Sequence, residues 1–523
     1  MAAEIDHAFA AGMAAVEAQD YAAAEQFFRH AVALQPAAHQ AWNALAWTQL
    51  WSGQPEIAIE YARRASELAR HKSPEYLNTI GVAQGELGEF AEAEATLRKA
   101  LKLKPAYVES LINLAKVLLK EGRLDETVKT YERAYAFDPR FPKLAFALAQ
   151  MYRKQGRAGR ARSLLEEVGR NADDEDLVMA AAEVDSELEG APRGTERLRA
   201  AVAQHPEWRL AKSALAHFCL SIGEWREGWG HYLLRREERD PLTYVPALLP
   251  ASLDGKKVLL RGEQGIGDVL FFLRFAPLLR QRGATVTLAC ERKLAAFLET
   301  KDPLDAVRES AADDGRSPEF DFRIWCGDLP AVLGTETLPP AWPFTVNEAA
   351  AADTRGRLGA LGPGPYVGVT WRAGTDILRR REFGNDRTLL MKELPVAQLG
   401  AALRGWRGTV LALQRNLVPD ELAAFSAALG APAHDLSGLG DDLPALLATL
   451  SQLDEYVSVS NTNDHLLAGL GRTARVLVPY PAEWRWMWRD GPSPWFPGFT
   501  TYREPQSRGW QKPLLDLRKD LSP

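Results

Sequence analysis

Cysteine is scarce: Cys219, Cys290 and Cys326 are the only three in 523 residues. So few and so scattered, they build neither a disulfide framework nor a zinc site, and they suit a reducing compartment. Long apolar runs are missing too. None approaches the roughly 20 residues that cross a bilayer, so no membrane span is expected. The start, Met1-Ala2-Ala3-Glu4-Ile5-Asp6, lacks a basic stretch and an apolar core, so no secretory signal is expected there. Positive charge is not in excess: 63 Lys and Arg against 69 Asp and Glu leave a formal net charge of −6, which argues against a nucleic-acid partner. The remaining expectation is a cytoplasmic protein of ordinary globular composition, with three or four domains at about 150 residues each.

What is present is a repeat that stops halfway. Pro36, Pro105, Pro139 and Pro206 are spaced by 69, 34 and 67 residues, which are one or two periods of about 34. Within each period, small residues stand where two helices must approach, and aromatics stand where the next pair must be met. Examples are Gly12, Tyr21, Ala24 and Phe28; Gly81, Gly88, Phe90 and Leu97; and Gly122, Leu124 and Tyr131. The sixth unit is blurred by Gly190-Ala191-Pro192, and the seventh returns with Leu215, Gly223, Trp225, Gly228 and Tyr232. This register resembles the tetratricopeptide repeat, with about seven units between Ala8 and Arg235. The resemblance implies an α-solenoid over residues 1–240 whose groove binds a polypeptide.

Between Arg239 and Gly255 the helical pattern breaks. Asp240-Pro241-Leu242 and Pro246 to Pro250 suggest a stiff connection. The pattern then becomes strand, glycine-rich turn and helix. Lys257-Val258-Leu259-Leu260 reads as a buried strand. It leads through Arg261-Gly262-Glu263-Gln264-Gly265-Ile266-Gly267-Asp268 into one amphipathic helix that runs to about Arg282. Gly265 and Gly267 permit backbone conformations that a Cβ would forbid, and they let a ligand approach main-chain N–H groups at a helix N-terminus; a tight strand-to-helix turn is the other reading. Asp268 is either a helix cap or a functional carboxylate. Further strands are expected at Val286–Cys290 and Phe320–Trp325.

A second α/β region begins near Pro363. Its strands are expected at Tyr366–Trp371, Val410–Gln414, Glu455–Val459 and Arg475–Val478, with helices from Leu443 and from the Ser460–His465 loop. Ligand is expected in the cleft between two nucleotide-type halves, at strand C-terminal ends. Arg372 directly follows a strand, Gln414 ends one, and the basic run Arg379-Arg380-Arg381 falls on a loop. Asp441 and Asp442 precede a helix and read best as caps. His434 is the other histidine of this half and carries no motif. Trp484, Trp486 and Trp488 alternate, as a strand packed into a core or as a platform for a base or sugar. Trp495 and Trp510 are expected to anchor a closing segment.

The run Gly265-Ile266-Gly267-Asp268-Val269-Leu270 with Pro277, then Val369-Thr370-Trp371-Arg372, then Ser458-Val459-Ser460-Asn461-Thr462-Asn463-Asp464-His465 with Gly469 and Gly471, resembles the heptosyltransferase-like glycosyltransferases. The likeness covers roughly residues 255 to 515. Repeats fused to such a region also resemble bacterial protein glycosyltransferases, including flagellin-modifying enzymes, and in architecture the O-GlcNAc transferases.

These resemblances imply a GT-B fold of two Rossmann-like domains, the acceptor domain at 255–350 and the donor domain at 351–523. The donor would be a nucleotide-sugar, with no resident cofactor. No metal is implied, since no Asp-x-Asp triplet follows residue 241. Asp268 would be the catalytic base, with Glu263 in reserve. Gly265, Gly267, Thr370, Arg372, Gln414, Ser460, Asn461, Thr462, Asn463 and His465 would hold the donor. Arg372 would replace a phosphate-binding Lys for which no candidate stands out. The acceptor would be a Ser or Thr hydroxyl of a protein docked on the repeats, with flagellin suggested. Two alternatives stay open: a transferase acting on a glycan or lipid-linked acceptor, and a non-catalytic scaffold.

Overall fold

The computed structural model describes residues 2–141, 143–169, 174–235, 248–263, 265–298, 304–310, 319–373, 392–507 and 509–521. The chain divides into two compact units, Met1–Val184 and Asp185–Pro523. Asp240-Pro241-Leu242, Pro246, Gln264 and Arg379-Arg380-Arg381 lie outside the described residues.

The first unit is an array of antiparallel helical pairs. These are α1 (Ala2–Glu17) with α2 (Tyr21–Leu34), α3 (His39–Trp51) with α4 (Pro55–Leu68), and α5 (Pro74–Leu87) with α6 (Phe90–Leu103). Next come α7 (Val108–Lys120) with α8 (Leu124–Phe137) and α9 (Leu144–Lys154) with α10 (Ala158–Gly169), followed by most of α11 (Glu175–Glu189). Pro36, Pro105 and Pro139 each follow the end of a second helix by two residues, because a proline N–H is absent and its ring blocks the next turn. Gly88 closes α5 at φ +80°, a left-handed conformation that satisfies the last carbonyls. Gly81 lets α6 come close: a Cβ there would lie 2.6 Å from Leu97 Cγ. Ala93, Leu97 and Ala100 are fully buried at that contact.

The second unit opens with the end of α11 and three more helices, α12 (Ala191–Gln204), α13 (Arg209–Ile222) and α14 (Trp225–Tyr232). The pair blurred in sequence does form: a single residue, Gly190 at φ +99°, turns α11 into α12. Trp229 of α14 is buried and meets Phe272, Phe275, Trp484 and Trp495 edge-on, at centroid distances of 5.4 to 6.3 Å. Such pairs stabilise beyond their buried area, so the last helical pair is built into the core of the α/β region.

That region holds two wholly parallel sheets. The first has order β3-β2-β1-β4, from β1 (Lys257–Arg261), β2 (Thr285–Cys290), β3 (Ala306–Glu309) and β4 (Phe322–Trp325). The second has order β10-β9-β8-β5-β6-β7, from β5 (Tyr366–Thr370), β6 (Thr409–Ala412), β7 (Ala433–Asp435), β8 (Glu455–Val459), β9 (Arg475–Val478) and β10 (Thr500–Arg503). The helices between them are α15 (Ile266–Leu273), α16 (Ala276–Gln281), α17 (Arg292–Leu298), α18 (Leu329–Leu333), α19 (Glu348–Leu361), α20 (Val396–Ala402), α21 (Pro419–Leu429), α22 (Leu443–Ser451), α23 (Thr462–Gly469) and α24 (Gln511–Leu521). The strand cores are near-continuous Val, Leu and Ala, as parallel strands covered on both faces require.

Several sequence expectations are corrected. The single helix expected after Asp268 and through about Arg282 is two helices, because Pro277 cannot continue α15 and instead sits in the first turn of α16. The short strands β3, β7 and β10 were not anticipated; with three or four residues each they carry too little alternation to stand out. Trp484–Trp486 is a single 3₁₀ turn and not a strand, and Met487 beyond it has φ +61°. Trp484 and Trp486 are buried side chains of the core. The closing helix α24 stays with the second sheet, where Leu514 and Leu517 pack beside Tyr502 and Trp510. Trp495, by contrast, reaches the aromatic core around Phe271.

Candidate functional site

In each sheet the order in which strands are added reverses once. In the first this falls between β1 and β4, and in the second between β5 and β8. At such a switch point the loops leaving the C-terminal ends of neighbouring strands part and leave a crevice. The loop after β1 carries Glu263, Gly265 and the start of α15, and the loop after β8 carries Ser460 and Asn461 at the start of α23. The two helix starts meet. A Cβ on Gly267 would lie 3.2 Å from His465 Cδ2 and 3.3 Å from Thr462 Oγ1. Gly267 is therefore required by close helix approach. The special backbone angles that glycine permits are not used at Gly265, which is extended at φ −90°, a conformation open to any residue.

Asp268 is the third residue of α15, not its cap. One carboxylate oxygen reaches back towards the Gly265 N–H (3.4 Å), and the other accepts from the Arg485 guanidinium (2.6 Å). Arg485 also pairs with Glu483, which accepts from Lys392 Nζ (2.5 Å) and lies 3.4 Å from Ser460 Oγ. Burial pushes the Glu483 carboxyl up, yet Lys392 and Arg485 outweigh it and hold it below the ordinary carboxylate range. Burial opposes the Arg485 charge in turn, and Glu483 and Asp268 more than compensate. An unbroken chain of alternating charge thus runs from Asp268 beneath the first sheet's loop to Lys392 in the second half.

Arg274 adds a cation with no carboxylate among the described residues. It is buried, donates to the carbonyls of Phe271 (3.0 Å) and Trp495 (3.2 Å), and stacks over Phe271 at 4.3 Å. Burial, then the neighbouring Arg485, pushes it down to about 9. His465 packs against Phe271 and Phe496, and its enclosed Nδ1 has no hydrogen-bond partner among the described residues. Burial first, then Arg485 and Arg274, hold its pKa well below the ordinary histidine value. That direction favours the neutral imidazole.

The polar loop before α23 is braced from below. Tyr456 Oη meets Thr370 Oγ1 at 2.7 Å and accepts from Asn463 (2.8 Å) and Asn461 (3.2 Å). Asp464 accepts from the Asn461 N–H (2.8 Å) and Ser458 Oγ (3.0 Å). Burial pushes its carboxyl up to about 7. Thr370, Asn461 and Asn463 therefore spend their side chains in holding the loop, while Thr462 Oγ1 lies beside Gly267 and Ser460 Oγ is directed to Glu483.

Arg372 and Gln414 lie at the ends of β5 and β6. The Gln414 amide accepts from the N–H groups of Trp371 (3.1 Å) and Arg372 (2.9 Å) and donates to the carbonyls of Arg372 and Arg415. The Arg372 guanidinium pairs with Glu421 (2.9 Å) and the Asn416 carbonyl (3.2 Å). These two residues brace one another's strand ends, and no direct hydrogen bond or ion pair among the described residues joins them to the Asp268 chain. His434 lies on β7 at the far edge of the second sheet. Asp442 caps α22 (Ala445 N–H, 3.0 Å), and Asp441 pairs with Lys293 (3.3 Å).

Glu263 is bound up in a buried cluster. Arg235, beyond α14, pairs with Glu263 and with Asp328 (2.5 Å), and Glu263 also accepts from the Gly327 N–H (3.0 Å). All three side chains are under a tenth exposed. This ties the last helical pair to both loops of the first switch point.

Sequence reasoning missed Lys392, Glu483, Arg485 and Arg274. One signal was present: Arg485 lies between Trp484 and Trp486, and a cation flanked by large aromatics in sequence is a candidate for a buried, ring-stacked guanidinium. Its guanidinium indeed lies 4.5 Å from the Trp484 ring centre.

Comparison with known proteins places tetratricopeptide repeats at residues 8–37, 78–143 and 118–184. The chain is similar to Protein FlbA of Caulobacter vibrioides (strain ATCC 19089 / CIP 103742 / CB 15), at 25% identity over 534 residues, 95% of this chain and 86% of FlbA. A shorter likeness, 31% over 104 residues and 20% of each chain, is to the BBSome complex member BBS4 of Bos taurus. Among solved structures, PilF of Pseudomonas aeruginosa matches 39% of this chain and 93% of its own at 18% identity and TM-score 0.34. PilW, a type IV pilus biogenesis factor, matches 39% and 94% at 22% identity and TM-score 0.35.

Proposed function

We propose that this protein is a metal-independent glycosyltransferase of GT-B type. It moves a sugar from a nucleotide-sugar to a Ser or Thr hydroxyl of a polypeptide held by the repeats. The observation that carries the reading is the meeting of two helix N-termini, α15 and α23, at the switch points of two parallel sheets, with Asp268 beside them. The likeness to FlbA runs through both halves of the chain, so repeats and α/β region are compared as one piece.

In the reaction, the acceptor oxygen attacks the anomeric carbon as the bond from that carbon to the diphosphate breaks. The hydroxyl proton passes to the Asp268 carboxylate, and the electron pair leaves with the diphosphate. Its growing negative charge is met by the N–H groups at the starts of α15 and α23 and by Lys392 and Arg485, which are already fixed in place. Lys392 supplies the phosphate-binding lysine that the sequence did not reveal. Arg485 also orients the Asp268 carboxylate. A neutral His465 leaves the α23 end free of additional charge while filling the space beside Gly267.

The test is intact-mass spectrometry of a candidate acceptor, flagellin first, co-expressed with the chain. A sugar-sized mass increment is expected. In Asp268→Asn it should fall by about 10²–10⁴ in rate, as loss of a general base does, with nucleotide-sugar binding kept. Undiminished transfer by Asp268→Asn would remove that residue from the chemistry, and absence of any nucleotide-sugar binding would remove the transferase.

A further inference from the structure

The first unit carries a groove with its own chemistry. A cavity of about 520 Å³ is lined by Phe9 and Met13 of α1, Trp47 and Trp51 of α3, and Glu75 and Tyr76 of α5. Its size lies within the roughly 300–1,000 Å³ of sites that enclose ligands. Apart from Phe28 of α2 and Ser73 just before α5, the lining comes from the first helix of each of the first three pairs, so one face of the array supplies most of it. Met13 and Trp51 are 43% and 45% exposed, an unusual state for side chains of this size. Trp51 is also held: it stacks on Tyr21 at 5.4 Å and lies 5.8 Å from Trp47. A preformed apolar recess rimmed by ordered aromatics is the form of a docking site.

Its charge has one sign. Glu75 is the sole ionisable acid or base in the lining apart from Tyr76. Helices α1, α3 and α5 together carry Glu4, Asp6, Glu17, Glu75 and Glu86 and no Lys or Arg. The next first helices lean the other way, with Lys116 and Lys120 against Glu109 on α7 and with Arg153 and Lys154 on α9. We propose that this groove docks a polypeptide segment whose apolar side chains alternate with Lys or Arg. The apolar side chains enter the recess, and the cations meet Glu75 and the indole faces. The proposal rests on the reading of the repeats as the acceptor-docking arm and adds where the acceptor docks and what it must carry.

The experiment uses the full chain and two fluorescein-labelled synthetic peptides with the same leucine pattern, one with lysine and one with glutamate at the polar positions, followed by fluorescence anisotropy. The lysine peptide is expected to bind at least about tenfold tighter than the glutamate peptide, a difference of about 1.4 kcal/mol. Met13→Gln and Trp51→Gln, both at exposed positions, should each weaken lysine-peptide binding about tenfold with melting temperature kept. Glu75→Lys should narrow or reverse the preference. Equal binding of the two peptides, or unchanged binding by both Gln variants, would overturn the proposal. Asp268→Asn should leave peptide binding untouched. Peptide binding without any sugar transfer would sink the transferase and spare the groove, and transfer to polypeptide that ignores Met13→Gln and Trp51→Gln would do the opposite.

Discussion

In the first unit, Arg29 pairs with Glu25 and Arg98 with Glu94, each one helical turn away, with the arginines more than half exposed. Arg123 bonds Glu94, Glu121 and Glu126 and stays a third exposed. In the second unit, Arg485 reaches Asp268 across 217 residues of chain, and Arg235 reaches Asp328 across 93, both under a tenth exposed. The Arg153–Glu183 pair, buried on the arginine side, is the first unit's exception. The contrast follows from architecture. A repeat packs neighbours on neighbours through small residues, and its charges remain on solvated faces. An α/β core folds distant segments onto one crevice, and charges gathered there must find partners before they can be buried.

The largest expected effect tests this contrast directly. Arg485→Ala strips the counter-ion from Asp268 and leaves Glu483 with Lys392 alone, and it should cost about 3–5 kcal/mol in denaturant unfolding. Arg123→Ala, which breaks three ion pairs, should shift unfolding far less, because water already screens them. Equal losses would erase the distinction between the units.

A second prediction concerns protons. Asp464 has its carboxyl raised to about 7 by burial, so the folded chain keeps a proton that the unfolded chain releases near pH 4. Its contribution is fully present below about pH 4 and is lost as pH rises through 7, by up to about 1.4 kcal/mol per pH unit. Melting of wild type against Asp464→Asn between pH 4 and 8 should show the wild-type advantage shrinking as pH rises. An advantage that grows with pH would mean that the Asn461 N–H and Ser458 outweigh burial.

The smallest effects probe packing within the repeat. Gly81→Ala puts a methyl 2.6 Å from Leu97 Cγ and should cost about 1–3 kcal/mol through overpacking. Four residues on, Gly85→Ala meets nothing nearer than Val117 Cγ2 at 3.6 Å and should stabilise by up to about 1 kcal/mol, the ordinary gain of alanine over glycine in a helix. Thermal unfolding of the two variants reads the sign of each.

Legibility in the sequence divided along the same line. The helical pairs could be read because a 34-residue period repeats a local rule, and even the blurred sixth pair obeyed it through Gly190. The glycine-rich loop, the polar loop before α23 and most strands were visible as local patterns. The reasons attached to them were less secure: Gly267 is small because a second helix presses on it, and Gln414 and Asn463 are polar because buried backbone and Tyr456 need partners. Lys392, Glu483, Arg485 and Arg274 carry no local pattern, so the charge chain was out of reach.

Sequence alone determined the periodic half of this protein and the positions of its loops, because helix packing by small residues and strand burial are rules of near neighbours. Tertiary structure alone decided which charges share a crevice and that Arg235, at the end of the repeats, grips the loop leading to Asp268. Those contacts join segments tens to hundreds of residues apart, and their energy exists only once the intervening chain has folded around them.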